Sequence, residues 1–317
     1  MSTSRFSILL SLVAACGFPR PADVPSDSKD AAMDPVDAPG PPVDAAGTLT
    51  DAAGTLPRCD PTKPFGTPKL VENINSSNDE VTFALTRDER TALLGRYLPQ
   101  SAAAIFASQR ASASGTFGVP DGAVTSAIDT AVGNEFAPSL VSDGLILYFH
   151  RQTSNDIGIY AATRADASAT FDVGTLVFVD GTGLTNALAP QISADGQTLY
   201  WADFIDFGKV FSATRSNDPR TFINKHAVST FATGAAFVLS ADELTAFYSL
   251  GSGADVLVST RTSKSDIFGT GIPVANVNSA ANDIPVALTY DGCVLYITSQ
   301  RSGGVGGYDI WEAHRPL

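Results

Sequence analysis

Apolar and polar residues alternate in short runs along this chain, and five of these runs end in an arginine. They read IFASQR, IYAATR, VFSATR, VLVSTR and IWEAHR, ending at Arg110, Arg164, Arg215, Arg261 and Arg315. Alternation over five or six residues predicts a half-buried β-strand. A phenylalanine follows each of the first four arginines after seven residues, at Phe117, Phe171, Phe222 and Phe268. We expect these phenylalanines to form the core between repeated units, and each arginine to pair with a turn aspartate of its own unit.

An aspartate turn followed by an aromatic strand recurs in step with these runs. The turn aspartates are Asp88, Asp143, Asp195, Asp242 and Asp291, which lie 55, 52, 47 and 49 residues apart. Three of them precede a glycine, which predicts hairpins because glycine adopts a positive φ without steric cost. A glutamate follows Asp88 and Asp242 instead, so the first and fourth units are divergent copies.

Each unit therefore divides into four strands, a to d. Strand a is a short apolar segment, FALT, PSLV, PQIS, FVLS or PVAL, beginning at 83, 138, 190, 237 and 285. Strand b follows the aspartate turn, strand c ends in the arginine, and strand d begins near the spaced phenylalanine. Four antiparallel strands in about 50 residues, repeated radially, are typical of a β-propeller blade. We predict an all-β propeller with five blades, with six blades as the alternative.

The fifth unit is completed from the other end of the chain. Its run ends at Arg315, two residues before the last residue, so it lacks its phenylalanine; Arg58 and Phe65 show the same spacing near the N-terminus. We expect residues 65–74 to supply strand d of the last blade, whose strands a to c lie within 283–315. This closure removes the exposed sheet edges at the seam.

Two cysteines fall at this seam. Cys293 begins strand b of the last blade, and Cys59 follows Arg58, the counterpart of the residue that ends strand c. The start of b and the end of c are neighbours in an antiparallel hairpin. The arrangement predicts a disulfide between Cys59 and Cys293; the alternative is two unrelated buried thiols.

The last unit, at 288–315, is the sharpest copy of the repeat. Its matching segments are Asp291-Gly292, Leu295-Tyr296-Ile297, Ser299-Gln300-Arg301, the glycines at 303–307, and Asp309-Ile310-Trp311. They resemble the TolB-like propeller repeat, a relative of the WD repeat, and the resemblance covers about four-fifths of the chain. It implies the fold and leaves the function open, because propellers host many unrelated activities. TolB itself is six-bladed, so five blades depart from that family.

The N-terminus has the pattern of a bacterial lipoprotein signal over residues 1–15. Arg5 precedes a short apolar stretch that is too short to span a bilayer, and Val13-Ala14-Ala15-Cys16 resembles a lipobox. The resemblance implies lipidation of Cys16 and cleavage before it; an ordinary signal peptide is the alternative. Gly17 replaces the aspartate that retains enterobacterial lipoproteins at the inner membrane. We therefore expect an exported protein anchored by lipid to the outer membrane, either periplasmic or surface-exposed.

Residues 16–57 are rich in Asp, Ala and Pro and nearly free of aromatics. Such a segment buries too little surface to offset its ordering entropy, so we expect a disordered tether. The propeller domain then spans 58–317. The lipobox, tether and propeller together resemble a class of lipoproteins from myxobacteria-like organisms.

Charge and composition exclude several functions. A net charge of −13 disfavours nucleic acid as a partner. The three histidines, at 150, 226 and 314, lack metal-ligand spacing and are expected at the surface or at strand ends. No nucleophile elbow occurs, and the glycines at 303–307 precede a strand rather than a phosphate-binding helix. We expect a monomer with no catalytic residue, no cofactor and no metal.

The b–c and d–a loops share one face of a propeller, where ligands commonly bind. The candidate binding residues on this rim are Asp79, Arg96, Tyr97, Glu135, Arg151, Asp203, Asp206, Asp283, Arg301 and Tyr308. The mixed charge favours a non-catalytic scaffold or interaction module that binds an envelope protein or a cell-wall glycan.

The alternative is a five-bladed glycoside hydrolase or carbohydrate-binding protein. Hydrolysis requires two carboxylates that converge on the central pocket. The predicted a strands contain no Asp or Glu, so only flanking acids such as Asp79, Glu135 and Asp283 are available for that chemistry.

Overall fold

The computed structural model describes residues 58–99, 103–130, 133–154, 156–205, 209–229, 236–250 and 255–317. Within these ranges the regular elements are 21 β-strands, and Cys59–Leu317 forms a compact unit. No helix in this part of the chain is long and apolar enough to cross a membrane. The predicted signal segment, Cys16 and the tether lie outside the described residues.

The strands form five sheets, one for each blade, as predicted for a five-bladed propeller. Blade 1 contains β2 (Glu80–Leu85), β3 (Thr91–Tyr97) and β4 (Ala103–Gln109). Blade 2 contains β5 (Gly133–Leu140), β6 (Ile146–Thr153), β7 (Ile157–Thr163) and β8 (Thr175–Leu176). Blade 3 contains β11 (Ala187–Ile192), β12 (Thr198–Asp203), β13 (Val210–Arg215) and β14 (Thr221–Ser229), with β9 (Phe178–Val179) and β10 (Thr182–Gly183) at its outer edge. Blade 4 contains β15 (Phe237–Leu239), β16 (Thr245–Ser249), β17 (Val256–Thr260) and β18 (Ile272–Pro273).

Blade 5 is closed by the N-terminal strand, as the sequence predicts. Its strands are β19 (Asp283–Leu288), β20 (Val294–Ser299) and β21 (Asp309–His314), and β1 (Lys69–Leu70) pairs antiparallel with β21. The Cys59–Cys293 disulfide is present, with a Cα–Cα distance of 5.6 Å. Both predictions for the seam are confirmed.

Antiparallel strands place the connections on two opposite faces of the ring. We call the end with the a–b and c–d turns the turn face, and the end with the b–c and d–a loops the loop face. Cys59 and Cys293 lie at the turn face, because Cys293 directly follows the Asp291 turn.

The core consists of five clusters of buried apolar side chains, each formed by residues of adjacent blades. The spaced phenylalanines belong to these clusters, and none of them is more than 6% exposed. In four of the five units the seven-residue spacing places the arginine on the ring of its phenylalanine. The guanidinium carbon lies 4.3 Å from the ring centroid in Arg110–Phe117, 4.4 Å in Arg164–Phe171 and 4.5 Å in Arg261–Phe268. At the seam Arg315 lies 4.2 Å from the ring centroid of Phe65.

Arg164 and Arg261 donate hydrogen bonds to backbone carbonyls of the turns, in place of the expected pairing with turn aspartates. Arg164 Nε donates to Gly144 O and Arg261 Nε donates to Glu243 O, the residue after the turn aspartate in each case. The aspartates instead accept hydrogen bonds from their own turns, as in Asp143 with the backbone N–H of Leu145. The carbonyl bonds thus fix the end of strand c to the a–b turn of its own blade, and the cation–π stacks fix it to the phenylalanine that begins the next segment.

The divergent turns of blades 1 and 4 have the same backbone as the glycine turns. Glu89 and Glu243 adopt φ of 57° and 62°, and Gly144 and Gly292 adopt 72° and 71°. Their carboxylates fold back onto cations: Glu89 lies 3.1 Å from Arg110 and Glu243 lies 2.6 Å from Lys264. These ion pairs, in which both carboxylates are buried, accompany a left-handed conformation that a non-glycine residue rarely adopts.

Two outer strands differ from the prediction. In blade 1 the segment after Phe117 forms only an isolated bridge, Ala107 to Asp121, because Pro120 has no N–H to donate to a ladder. In blade 3 the β9–β10 hairpin crosses from the end of blade 2 and pairs parallel with β14. It covers the edge of the first residues of a nine-residue strand, at Thr221 and Phe222.

Candidate functional site

The axis of the ring opens into a cavity at the turn face. Its volume is about 130 Å³, and all five blades contribute the end of strand a and the start of the a–b turn. The predicted rim lies at the opposite, loop face. Sequence reasoning therefore missed this site, although the turn residues that surround it were visible in the repeat.

One residue from each blade forms an aliphatic collar around the cavity, and one forms its mouth. The collar comprises Leu85, Leu140, Ile192, Leu239 and Leu288; the mouth comprises Arg87, Ser142, Ala194, Ala241 and Tyr290. Three mouth residues are small. The other two stack, with the Arg87 guanidinium carbon 3.8 Å from the ring centroid of Tyr290. The mouth is thus wide over blades 2 to 4 and carries a cation over blades 1 and 5.

Two acids also line the cavity, and both are held by cations. Glu89 pairs with Arg110. Glu243 pairs with Lys264 and accepts a hydrogen bond from the hydroxyl of Tyr200, which itself accepts one from Arg261 at 3.3 Å. Burial, followed by the hydrogen bond to Glu243, raises the pKa of Tyr200 above its usual range. These contacts connect blades 3 and 4 at the turn face.

On the loop face, three blades carry a buried acid paired with an arginine. The distances are 2.6 Å for Glu80–Arg96, 2.8 Å for Glu135–Arg151 and 2.6 Å for Asp283–Arg301. The acids lie inside the innermost strands β2, β5 and β19, so the expectation that strand a lacks acids is wrong. The error arose because these strands extend several residues before the apolar segments that predicted them.

Each of these arginines also binds the loop that precedes its blade. Arg96, Arg151 and Arg301 donate from Nη2 to the carbonyls of Ile74, Ile128 and Val277, at 3.1, 2.8 and 2.7 Å. The acids are 0%, 1% and 0% exposed. The pairs therefore attach the d–a loops to the blades. Five of the predicted rim residues form these pairs: Arg96, Glu135, Arg151, Asp283 and Arg301.

Glu80 shows how completely such a carboxylate is bonded. Its oxygens accept hydrogen bonds from Ser76 N, Ser76 Oγ and Arg96 Nε. Burial raises the pKa of Glu80, and the hydrogen bonds from Ser76 oppose the rise.

Asp79, Tyr97 and Tyr308 meet at the seam of the loop face. Asp79 Oδ1 accepts the backbone N–H of Tyr308, and Asp79 O accepts the backbone N–H of Tyr97. Burial, and then the charge of Asp79, raises the pKa of Tyr97 beyond its usual range. The glycine loop packs on the same segment: a Cβ on Gly306 would lie 2.2 Å from the carbonyl oxygen of Asn78. These glycines therefore permit close backbone packing at the seam.

The remaining predicted residues are dispersed. Asp203 accepts the backbone N–H of Ile205 within its own loop, and Asp206 lies outside the described residues. His150 is buried rather than at the surface, its ring centroid 5.1 Å from that of Phe136, and burial lowers its pKa to about 4. Across the described ranges, no cluster of three metal-ligating side chains occurs.

Exposed aliphatic side chains mark three consecutive blades at the loop face. Ile205, Leu250 and Val305, in the b–c loops of blades 3, 4 and 5, are 72%, 36% and 57% exposed. Sequence reasoning overlooked them because it searched the loops for charged and aromatic residues. Contiguous apolar patches mark protein contacts, and an exposed aliphatic side chain on each of three consecutive blades makes this face the candidate for one.

No protein-family model and no curated protein matches this chain. Solved structures do resemble it. The catalytic domain of a GH62 α-L-arabinofuranosidase from Coprinopsis cinerea has a TM-score of 0.51 and 12% identity, covering 80% of this chain and 97% of that one. TolB from Acinetobacter baumannii has a TM-score of 0.45 and 13% identity, covering 75% and 54%. A gluconolactonase from Xanthomonas campestris has a TM-score of 0.44 and 12% identity, covering 82% and 96%.

At such identities the likeness shows the fold alone. The chain spans about half the length of the TolB structure. The predicted propeller fold is confirmed by the five sheets and by the likeness to the arabinofuranosidase domain.

Proposed function

We propose that this protein is a non-catalytic binding module of the cell envelope, and that its loop face docks an envelope protein. The observation that carries the proposal is the exposure of Ile205, Leu250 and Val305 on consecutive blades of that face. Interface cores are apolar, whereas a glycan site would present stacked aromatics and free polar groups. A cell-wall glycan is therefore the less favoured partner.

The arginine-paired acids argue against hydrolysis at this face. A glycosidase needs one carboxyl group to protonate the leaving oxygen and a second to act as base or nucleophile, both in contact with the sugar. Glu80, Glu135 and Asp283 are at most 1% exposed and each accepts a charge-assisted hydrogen bond from arginine. Carboxylates bonded in this way stabilise the blades rather than reach a substrate.

The proposed address is the outer membrane, through lipidation of Cys16. The disulfide between Cys59 and Cys293 supports export, because disulfides persist in oxidising compartments. Cys59 lies at the turn face, so the chain enters the ring on the side opposite to the proposed docking surface.

A pull-down from solubilised envelope tests the docking surface. The bait is the full chain, compared with Ile205→Asp and Val305→Asp, and Val119→Asp is the matched control. Val119 is 78% exposed and lies at the outer edge of blade 1, away from the loop face. We expect one envelope protein to be retained by the wild type and the control and lost with either loop variant. Equal retention by all four baits would contradict the proposal.

A glycan panel tests the alternative activity. The account predicts no cleavage of any member, including α-L-arabinofuranosides. Cleavage that disappears in Glu135→Gln, with the fold intact by circular dichroism, would replace the binding module with a glycoside hydrolase.

A further inference from the structure

We propose that the axial cavity at the turn face binds a small carboxylate that carries a short aliphatic group. This site is distinct from the loop face and does not depend on the docking proposed there. Three features of the cavity suit such a ligand: an unpaired cation at the mouth, an apolar collar, and polar groups deeper in the cavity.

The cation is Arg87. Within the described ranges its guanidinium makes no hydrogen bond and no ion pair, and it stacks on the ring of Tyr290. By contrast, Arg96, Arg110 and Arg151 each bind a carboxylate. A guanidinium presents its donors in a planar fork that matches the two oxygens of a carboxylate. Stacking on the ring of Tyr290 restricts the side chain and leaves these donors available.

The other charged groups near the mouth do not compete for Arg87. The turn aspartates bind the N–H groups of their own turns, and none of them lines the cavity. Glu89 and Glu243 line it but are held by Arg110 and Lys264. A ligand carboxylate would therefore meet Arg87 as its partner, whereas a ligand cation would meet an unneutralised positive charge.

Below the mouth, the cavity changes from apolar to polar. The collar of five aliphatic side chains surrounds it, and Ser139 and Gln191 lie one residue nearer the middle of their strands. Ser139 Oγ accepts the backbone N–H of Ile192 at 2.9 Å, which leaves its own proton to donate. The side-chain amide of Gln191 makes no hydrogen bond to the residues that the structure describes. The collar suits an aliphatic group, and these two side chains can hold a water or a small polar substituent beneath it.

Size restricts the ligand further. The cavity of about 130 Å³ far exceeds the ~10–15 Å³ that one water needs. It is smaller than the ~300–1,000 Å³ of sites for drug-sized ligands. A branched acid of five carbons is therefore a suitable probe.

Isothermal titration calorimetry on the full chain tests the site, with isovalerate as the probe. Isovaleramide has the same shape without the charge, and acetate has the charge without the branched group. We expect isovalerate to bind and both analogues to bind at least about tenfold more weakly, since charge-assisted bonds to arginine exceed neutral ones. No heat of binding from isovalerate, or equal affinity for isovaleramide, overturns the proposal.

Two arginine variants locate the contact. Arg87→Gln should weaken isovalerate binding by about tenfold or more, because it removes the fork of donors. Arg90→Gln is the matched control: it makes the same charge change three residues away, at an exposed position that does not line the cavity. Equal affinities of the two variants would overturn the assignment to the cavity. Ala241→Trp, which fills the mouth, should abolish binding while envelope pull-down through the loop face persists.

Discussion

Replacing Asp129 with asparagine is expected to stabilise the protein at neutral pH. Asp129 Oδ1 accepts the backbone N–H of Ile105 at 3.1 Å, at the start of strand c in blade 1. Asn75 and Asn278 make the same bond, to Ile310 and Val256, and their amides also donate to nearby carbonyls. An asparagine at 129 would keep the bond and remove a charge.

The magnitude follows from the pKa of Asp129. Burial, reinforced by the charge of Glu135, raises it from 3.8 to about 6. A shift of about two units corresponds to ~3 kcal/mol for a fully desolvated group. Asp129 is partly exposed, so solvent screening reduces our expectation to ~1 kcal/mol.

The sign of the pH dependence follows from linkage. The folded-state pKa lies above the unfolded value, so the folded protein holds the proton more tightly. The favourable contribution of protonated Asp129 to the free energy of unfolding is complete below pH 3.8 and is lost as the pH rises through about 6. At neutral pH the ionised Asp129 therefore penalises the folded state, and the asparagine does not.

Urea unfolding of wild type and Asp129→Asn measures the effect. We expect the variant to be more stable by ~1 kcal/mol near pH 7.5, with the difference shrinking toward pH 4. Asp255→Asn is the control, because it makes the same charge change at an exposed position. A gain of equal size at both pH values, or an equal gain in the control, would refute the role assigned to burial.

Three further perturbations test the ring. Replacing Cys59 and Cys293 by serine should lower the free energy of unfolding by ~5 kcal/mol on the chain-entropy model; an unchanged Tm under oxidising conditions would show that the bridge is absent. His150→Leu should raise the free energy of unfolding near pH 4.5. Burial lowers the pKa of His150 to about 4, so the wild type loses stability as the pH falls from about 6.5 through that value. Urea unfolding that shows the same loss of stability at acid pH in the variant and the wild type would contradict the burial of His150. Arg151→Met should cost ~3–5 kcal/mol by leaving the Glu135 carboxylate buried and unpaired, and adding Glu135→Leu should restore most of it in thermal unfolding; no rescue by the double variant would contradict the pairing.

The architecture could be predicted because the repeat encodes it locally. Arg315 and Phe65 lie at opposite ends of the chain, yet the seven-residue spacing identified them as one pair, and the structure stacks them. The disulfide followed from the same hairpin geometry. Such residues perform the same physical role in four of the five blades, so the copies reinforce one inference.

What could not be predicted depends on side chains that meet only in three dimensions. Glu89 and Glu243 looked like erosion of a glycine turn, and their compensation by Arg110 and Lys264 depends on contacts beyond the turn itself. Glu135 and Asp283 were expected outside strand a because the apolar pattern begins after them, and Glu80 was overlooked for the same reason. Pairing with arginine permits the burial of all three acids.

The axial cavity illustrates the same limit. Arg87 and Tyr290 occupy equivalent turn positions about 200 residues apart. Only ring closure makes them neighbours. The other three units have Ser142, Ala194 and Ala241 at the equivalent position. Two large side chains at a position that is otherwise small are the signal that could have identified the cavity from the sequence.

Site-specific photo-crosslinking in intact cells tests the central claim, docking through the loop face, most directly. A photoreactive phenylalanine analogue is placed at Val305 on the loop face or at Val119 on the outer edge of blade 1, both exposed positions. The account predicts a discrete crosslinked envelope protein from position 305 and none from position 119. Crosslinking from 119 alone, or no adduct from either position, would contradict it.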